Sequence, residues 1–461
     1  MKNIITIVSL LLIAGAMSCK KDKNFSKNHL NFSTDSLLFD TVFTTVGSTT
    51  KRFKIYNKNN FKLNIDEVEL MGGVSSPFRI NLDGLPGDEF TNIEIPGNDS
   101  LFCFVEVTLD VNAQTYPVVI SDSVRFLTNG VNQYLHLDVW GQDAYFHAPD
   151  PGSFFTLVGD HIEPWSNDKP HVLYGLVAVD KNQTLTIPAG TRVYGHKNSQ
   201  LRIYEGNLNI LGELGNEVVF QGDRLESFYD DVAGQWGGIY LDSSKNVTID
   251  YLIVKNAQVA LTIDANSSNP TRVTIKNSIF DNSAFYNLSA IRGPVINAEN
   301  CFFGDAGLLS AYLYAGGEYN FKHCNFVNYY AGSRSTPAFA MTNWEVIANT
   351  TYTYSVRNSR FDNCIFYGNA STEFIVDTLE AIEIDFVVNA SLIKREEIYE
   401  YENYSASVIW NELPNFISTF SNDFHLTESS PCINAGDPIY SNLSDIEGKT
   451  RDIPDIGLYE Y

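Results

Sequence analysis

Apolar and polar residues alternate along this chain in more than one pattern, and each change of pattern marks a boundary. The first stretch is nearly all apolar: residues 4–13 are interrupted only by Thr6 and Ser9 and follow the short positive start Met1-Lys2-Asn3. It is too short for a stable membrane span, and the small residues Ala14-Gly15-Ala16 come next, so residues 1–18 are expected to be a cleaved signal peptide. From residue 30 to 147 the alternation has a period of two and predicts strands near 49–56, 63–70, 101–109, 123–127 and 134–140. Gly72-Gly73, Pro86-Gly87, Pro96-Gly97-Asn98 and Asn129-Gly130 separate them as turns, which predicts a β-sandwich.

Beyond about residue 150 the chain repeats. Five segments align on their apolar positions, starting at Ile249, Ile275, Ala298, Phe321 and Phe361, with spacings of 26, 23, 23 and 40 residues. A period in the low twenties predicts a solenoid coil. The sixth column of the alignment reads Val254, Phe280, Phe303, Phe326, Phe366, a stack of large side chains facing a core. Two places earlier stand Leu252, Ser278, Cys301, Cys324, Cys364, on the same strand face. The eighth column, Asn256, Asn282, Asp305, Asn328, Gly368, is rich in residues that tolerate positive φ and is expected to turn a corner in every coil. The second column, Asp250, Lys276, Glu299, Lys322, Asp362, alternates in sign and is expected to form a charge ladder between coils.

With 461 residues, 44% of them hydrophobic, the chain can build more than one core. A formal net charge of −24 argues against nucleic acid and anionic membrane surfaces as partners, since both need clustered Lys and Arg. Besides Cys19 the cysteines are Cys103, Cys301, Cys324, Cys364 and Cys432, an odd number without a CxxC pair, which suits neither a disulfide framework nor a zinc site.

Four resemblances sharpen this reading. Ala16-Met17-Ser18-Cys19 resembles a bacterial lipobox, with Ala16 where leucine is more usual. The resemblance implies lipidation at Cys19, a tether over residues 19–29, and a lipoprotein of a Gram-negative outer membrane, surface-exposed or periplasm-facing. Residues 30–147 resemble Hydin-type immunoglobulin-like domains in their order of features: Asp40-Thr41-Val42-Phe43, Ile55-Tyr56-Asn57, Pro96-Gly97 and Val139-Trp140-Gly141. The repeat, together with Leu185-Thr186-Ile187-Pro188-Ala189-Gly190-Thr191 and Gly234-Gln235-Trp236-Gly237-Gly238, resembles right-handed parallel β-helix proteins. That resemblance implies an all-β fold in which an Ig-like sandwich precedes a β-helix over residues 148–418. Residues 419–461 resemble the choice-of-anchor Q module, through Asp423-Phe424-His425-Leu426, Ser430-Pro431-Cys432, Arg451 and Asp455-Ile456-Gly457-Leu458, with Leu458 where alanine is more frequent. A segment of this kind is expected to cover an open strand edge, with Arg451 in an ion pair with Asp437, Asp445 or Asp455.

No nucleophile elbow, zinc helix or phosphate loop occurs, so no catalytic residue is assigned. Two places carry candidate chemistry. The acidic loop with Asp223, Glu226, Asp230 and Asp231 can supply carboxylates or a Ca²⁺ site, or simply face solvent. The 40-residue spacing requires a bulge, placed at residues 329–344, where Tyr329, Tyr330, Arg334 and Trp344 can meet a sugar ring and its substituents. The expected function is non-catalytic binding of a glycan or an envelope partner. The alternative is a polysaccharide lyase or glycoside hydrolase on the same scaffold, without a resident cofactor other than Ca²⁺.

Overall fold

The computed structural model describes residues 29–44, 47–110, 118–265, 270–332, 334–379, 382–397 and 403–461, so the signal peptide and Cys19 lie outside the described residues. These residues contain strands and three short 3₁₀ turns but no α-helix. They fall into two compact units, divided between Asp143 and Ala144.

In the first unit two five-stranded sheets share one core. Pairing is antiparallel throughout except between Val131–Gln142 and Ser36–Phe43. Strands occur at Lys51–Asn57, Leu63–Leu70, Asp99–Val107, Val118–Thr128 and Val131–Gln142, where the alternation predicted them. Inward residues such as Phe53, Ile55, Val105, Phe126 and Leu137 are buried from both sheets, while the residues between them reach water.

The second unit is a solenoid-like stack of parallel strands, assembled into one sheet of 17 strands and one of nine. Strand pairing reproduces the register of the repeat. Ile249 pairs with Ile275, Ile275 with Ala298, Ala298 with Phe321, and Phe321 with Phe361. The Phe280, Phe303, Phe326 and Phe366 rings stack face to face, with centroids 5.3, 5.0 and 5.0 Å apart and planes within 7°. Phe321 on Phe361 and Phe339 on Phe374 make parallel stacks at 5.6 and 5.0 Å.

The corner lies elsewhere than expected. Of the eighth column only Asn256 and Asn282 have positive φ. The residue that turns each coil is in the third column: Tyr251, Asn277, Asn300, His323 and Asn363, with φ between 43° and 55°. The reason is one of phase. In an unbroken strand the first and fourth columns would face opposite sides, and one left-handed residue between them brings both to the core. The second-column carbonyls of Lys276 and Asp362 accept the corner amides of Tyr251 and His323 in the preceding coil, and fourth-column side chains add a further donor. Cys301, Cys324 and Cys364 donate their thiols to the carbonyls of Glu299, Lys322 and Asp362 at 3.3 Å, as the Ser278 hydroxyl does to Lys276. Four of the five residues in column four are small donors, and Leu252 fills the same place with volume alone.

The charge ladder is corrected too. Neighbours in the second column are in register, yet among the described residues no ion pair joins them. Asp362 pairs instead with Arg360 at 3.0 Å and accepts the Tyr440 hydroxyl at 2.7 Å, and Lys322 lies over the Tyr440 ring. Outward side chains here find partners on the chain's last segment.

That segment runs along the flank of the stack. Phe424, Leu426, Cys432, Ile456 and Leu458 bury against the outer residues Phe302, Val327, Ile365 and Leu392. The Leu458 amide donates to the Asn325 side chain at 3.2 Å, and the Gly457 amide to the Asn363 carbonyl at 2.8 Å. Arg451 is fully buried and holds the segment together, pairing with Glu460 at 3.1 Å rather than with an aspartate and donating to the Leu458 carbonyl at 2.7 Å.

At the first coil, His147, Trp165 and His171 form a parallel stack, with His147 Nε2 and His171 Nδ1 2.9 Å apart. Burial, reinforced by the neighbouring imidazole, pulls His147 from the ordinary 6.5 to about 3, and burial pulls His171 to about 4. Both rings are neutral at pH 7.

Two outcomes follow from this packing. Phe326→Ala is expected to lose about 3–5 kcal/mol of unfolding free energy in a denaturant titration, because the ring is buried between two stacked neighbours. The imidazole pair binds protons more readily when unfolded, so its contribution to stability is complete above about pH 6.5 and is lost as pH falls towards 3. A His147→Gln, His171→Gln double variant should lack that part of the pH slope, and identical slopes would refute the assignment.

Candidate functional site

The third strand of each coil belongs to the nine-stranded sheet, and its alternation divides core from surface. Leu201 and Ile203, then Leu241 and Ile263, point inward and are completely buried. The residues between them point outward, and the parallel register aligns them coil upon coil. Arg202, Tyr240, Thr262, Ser289 and Tyr312 form one outward row. Tyr204, Asp242, Asp264, Ile291 and Tyr314 form a second row beside it.

Hydrogen bonds and a cation–π contact join neighbouring members of the rows. Arg202 donates to Asp242 at 3.1 Å, and its guanidinium lies 4.9 Å from the centre of the Tyr240 ring. The Tyr240 hydroxyl donates to Asp264 at 2.8 Å. Arg292 bridges Asp264 and Glu345, reaching the latter at 3.3 Å, and Glu345 also accepts the Tyr354 hydroxyl. Tyr286 and Tyr314 lie 5.8 and 5.2 Å from Tyr312, ring centre to ring centre. Tyr240 and Tyr354 are pushed up to about 12 by burial and by their carboxylate partners, and Tyr312 to about 12 mainly by burial. These phenols stay protonated and can donate hydrogen bonds. A groove of about 450 Å³ opens over Arg202, Tyr240, Gln258 and Thr262. The network is suited to holding a polar ligand.

Glu345 comes from the break in coil spacing. Phe326 to Phe339 spans 13 residues where Phe303 to Ala311 spans eight, and Phe339 to Phe361 spans 22 where Ala311 to Phe321 spans ten. Most of the excess is therefore the antiparallel hairpin Trp344–Ile347 with Thr350–Thr353, not the 329–344 stretch. Phe339–Thr342 is itself a regular coil strand.

The residues proposed from the repeat break have other surroundings. Arg334 is buried, and its side chain is 3% exposed. It grips the fully buried Glu373 through two bonds of 2.7 and 2.9 Å and donates to the Asn328 carbonyl at 2.8 Å. It therefore cannot serve as an open fork for a ligand. Tyr329 stacks on Phe424, and Tyr330 is half-buried beside Gly332. Trp344 begins the hairpin, paired with Thr353. The acidic loop is not drawn together either. Asp223 pairs with His196 at 2.6 Å and Glu226 with Arg224 at 3.0 Å, while the loop carbonyls of Tyr229 and Asp230 are tied to Asn256. Among the described residues no group of three His, Cys, Asp or Glu side chains is arranged to hold a metal.

Two carboxylates also bridge successive coils. The Asp281 carboxylate accepts the Asp305 amide at 3.1 Å, and the Asp305 carboxylate accepts the Tyr329 amide at 2.6 Å. Burial, then the nearby Asp281 charge, raises Asp305 to about 6. With each carboxylate bonded to the backbone of the next coil, the pair fastens three successive coils together.

Arg334→Ala leaves Glu373 buried and unpaired, so it is expected to cost about 3–5 kcal/mol of stability, read by thermal or chemical unfolding. A variant as stable as the parent would show that the pair is dispensable.

No family model matches the chain, and no curated protein matches it. Among solved structures, the catalytic unit of a GH87 α-1,3-glucanase from Streptomyces thermodiastaticus is similar over 74% of this chain and 73% of its own, at 12% identity and a TM-score of 0.25. A family 123 glycoside hydrolase from Clostridium perfringens is similar over 25% of this chain, which spans 26% of its length, at 9% identity and a TM-score of 0.18. Likeness at these scores carries no argument about the activity of this chain.

Proposed function

We propose that this protein is a non-catalytic, envelope-anchored module that binds an extended, neutral glycan along the outer rows of the nine-stranded sheet. In this reading the stack is a right-handed parallel β-helix, the first unit an Ig-like spacer, residues 419–461 a choice-of-anchor Q-like flank, and Cys19 the lipidated anchor in an outer membrane.

The observation that carries the reading is the continuity of the two rows. Phenols, hydroxyls and paired charges line the rows from Arg202 through Tyr240 and Asp264 to Tyr312, interrupted at Ile291. Each coil advances about 4.8 Å, close to the length that one sugar unit adds to an extended chain. Aromatic faces suit the apolar face of a pyranose, and the hydroxyl and carboxylate partners suit its edge. The arginines of the rows are matched by Asp242, Asp264 and Glu345, which leaves no unpaired cation to attract a polyanion.

A panel of polysaccharides, read for binding and for release of reducing ends or unsaturated products, tests this directly. Neutral glycans should bind with little dependence on salt. A Tyr240→Ala, Tyr312→Ala double variant should bind at least about tenfold more weakly, about 1.4 kcal/mol, with an unchanged melting temperature. Product release by the parent chain, or undiminished binding by the double variant, would overturn the reading.

A further inference from the structure

The outer face of the nine-stranded sheet changes character before its third strand. From Gln200 onward the outward positions are mainly polar or phenolic, but on the two preceding strands they are Phe155, Leu157, Leu176 and Ala178. A strand that meets water on one face normally turns polar residues outward. Phe155 and Leu157 are 46% and 40% exposed, while Val177 and Val179 fill the core side. The apolar residues floor a hollow of about 370 Å³, and its wall is made by Asp180, Arg202, Tyr204 and Asp242. Three of those four belong to the outward rows, so the hollow opens directly onto the groove beside them.

We propose that this hollow receives an apolar substituent, an acyl or aryl group, carried by the glycan on the rows. The inference rests on the glycan reading and adds the class of ligand to it: an amphipathic, substituted glycan. Continuity with the rows identifies the occupant. A ligand lying on Tyr240 and Arg202 reaches Leu157 by extending two strands further along the stack, past Ala178, with the Arg202–Asp242 pair at the boundary between its polar and apolar parts. The volume falls in the range of small-molecule sites, roughly 300–1,000 Å³. Burying an alkyl chain there contributes about 0.8 kcal/mol for each methylene removed from water.

Calorimetry on the whole protein tests it, comparing the neutral oligosaccharide that binds best on the panel with its octyl glycoside below the micelle concentration. The octyl form should bind at least about tenfold more tightly and with a more negative heat-capacity change. Leu157→Gln should remove that gain while leaving the affinity for the free oligosaccharide intact, and Phe155→Ser provides a second variant if the first does not fold. Equal affinities, or a gain that survives both substitutions, overturn the inference and leave the glycan reading standing. Failure of both ligands to bind overturns the glycan reading and the inference with it. If instead the parent chain self-associates and Leu157→Gln makes it monomeric without changing ligand binding, the occupant is a second copy and the proposal is wrong.

Discussion

In the second unit a strand can satisfy its backbone only through the coil on either side. Every amide and carbonyl that faces along the stack needs a partner at the same height in the next turn. That requirement forces residues of successive coils into register, and register turns single residues into columns. The left-handed corner, the small donor beside it and the parallel phenylalanine rings answer the same demand at three points of the turn. Tyr251, Asn277, Asn300, His323 and Asn363 supply the bend, and Cys301, Cys324 and Cys364 donate to the carbonyl just before it. Phe303 and Phe326 then fill the space that remains.

The interior columns were readable because burial constrains them in every coil. Phe280 to Phe366 must be large and apolar, and no neighbour elsewhere in the chain competes for them. The corner was misplaced because asparagine occupies two columns for two reasons. Asn277 and Asn300 take positive φ, whereas Asn328 accepts the Tyr330 amide at 3.2 Å and donates to the Ala306 carbonyl at 3.0 Å. Composition does not separate a left-handed residue from a side-chain ladder. Outward positions were harder still. The signs of Lys276 and Glu299 suggested pairing, but an exposed pair gains little, and Tyr440 competes for Lys322 and Asp362 from more than 70 residues away in sequence. The outward rows carried only the faint alternation of Tyr312-Leu313-Tyr314, and Glu345 stood in a hairpin with no counterpart in the repeat. The aromatic cluster with Arg334 attracted attention through composition, and its burial depends on Glu373 and Phe424, which arrive from other parts of the chain.

Charge in this unit is handled by pairing at several depths. Arg334 and Arg451 are enclosed, each with a glutamate and backbone carbonyls, and they fasten segments distant in sequence. Arg202 and Arg292 do the same at the surface, where their partners also meet solvent. An acidic protein that commits its guanidiniums in this way presents hydrogen-bonding edges rather than free positive charge. The outer face thereby differs from the core in chemistry while obeying the same register.

The hairpin at Trp344–Ile347 and Thr350–Thr353 shows how loosely that register binds the excursions between strands. It more than doubles the usual separation between Phe339 and Phe361, yet Phe326 still pairs with Phe366 as Phe303 pairs with Phe326. The insertion at this joint leaves the pairing of the stacked strands unchanged on either side of it. Glu345 reaches Arg292 from this dispensable arm. The side chains presented on the outer face can therefore be exchanged one graft at a time, as a tool is changed on a fixed spindle, without renegotiating the architecture that carries them.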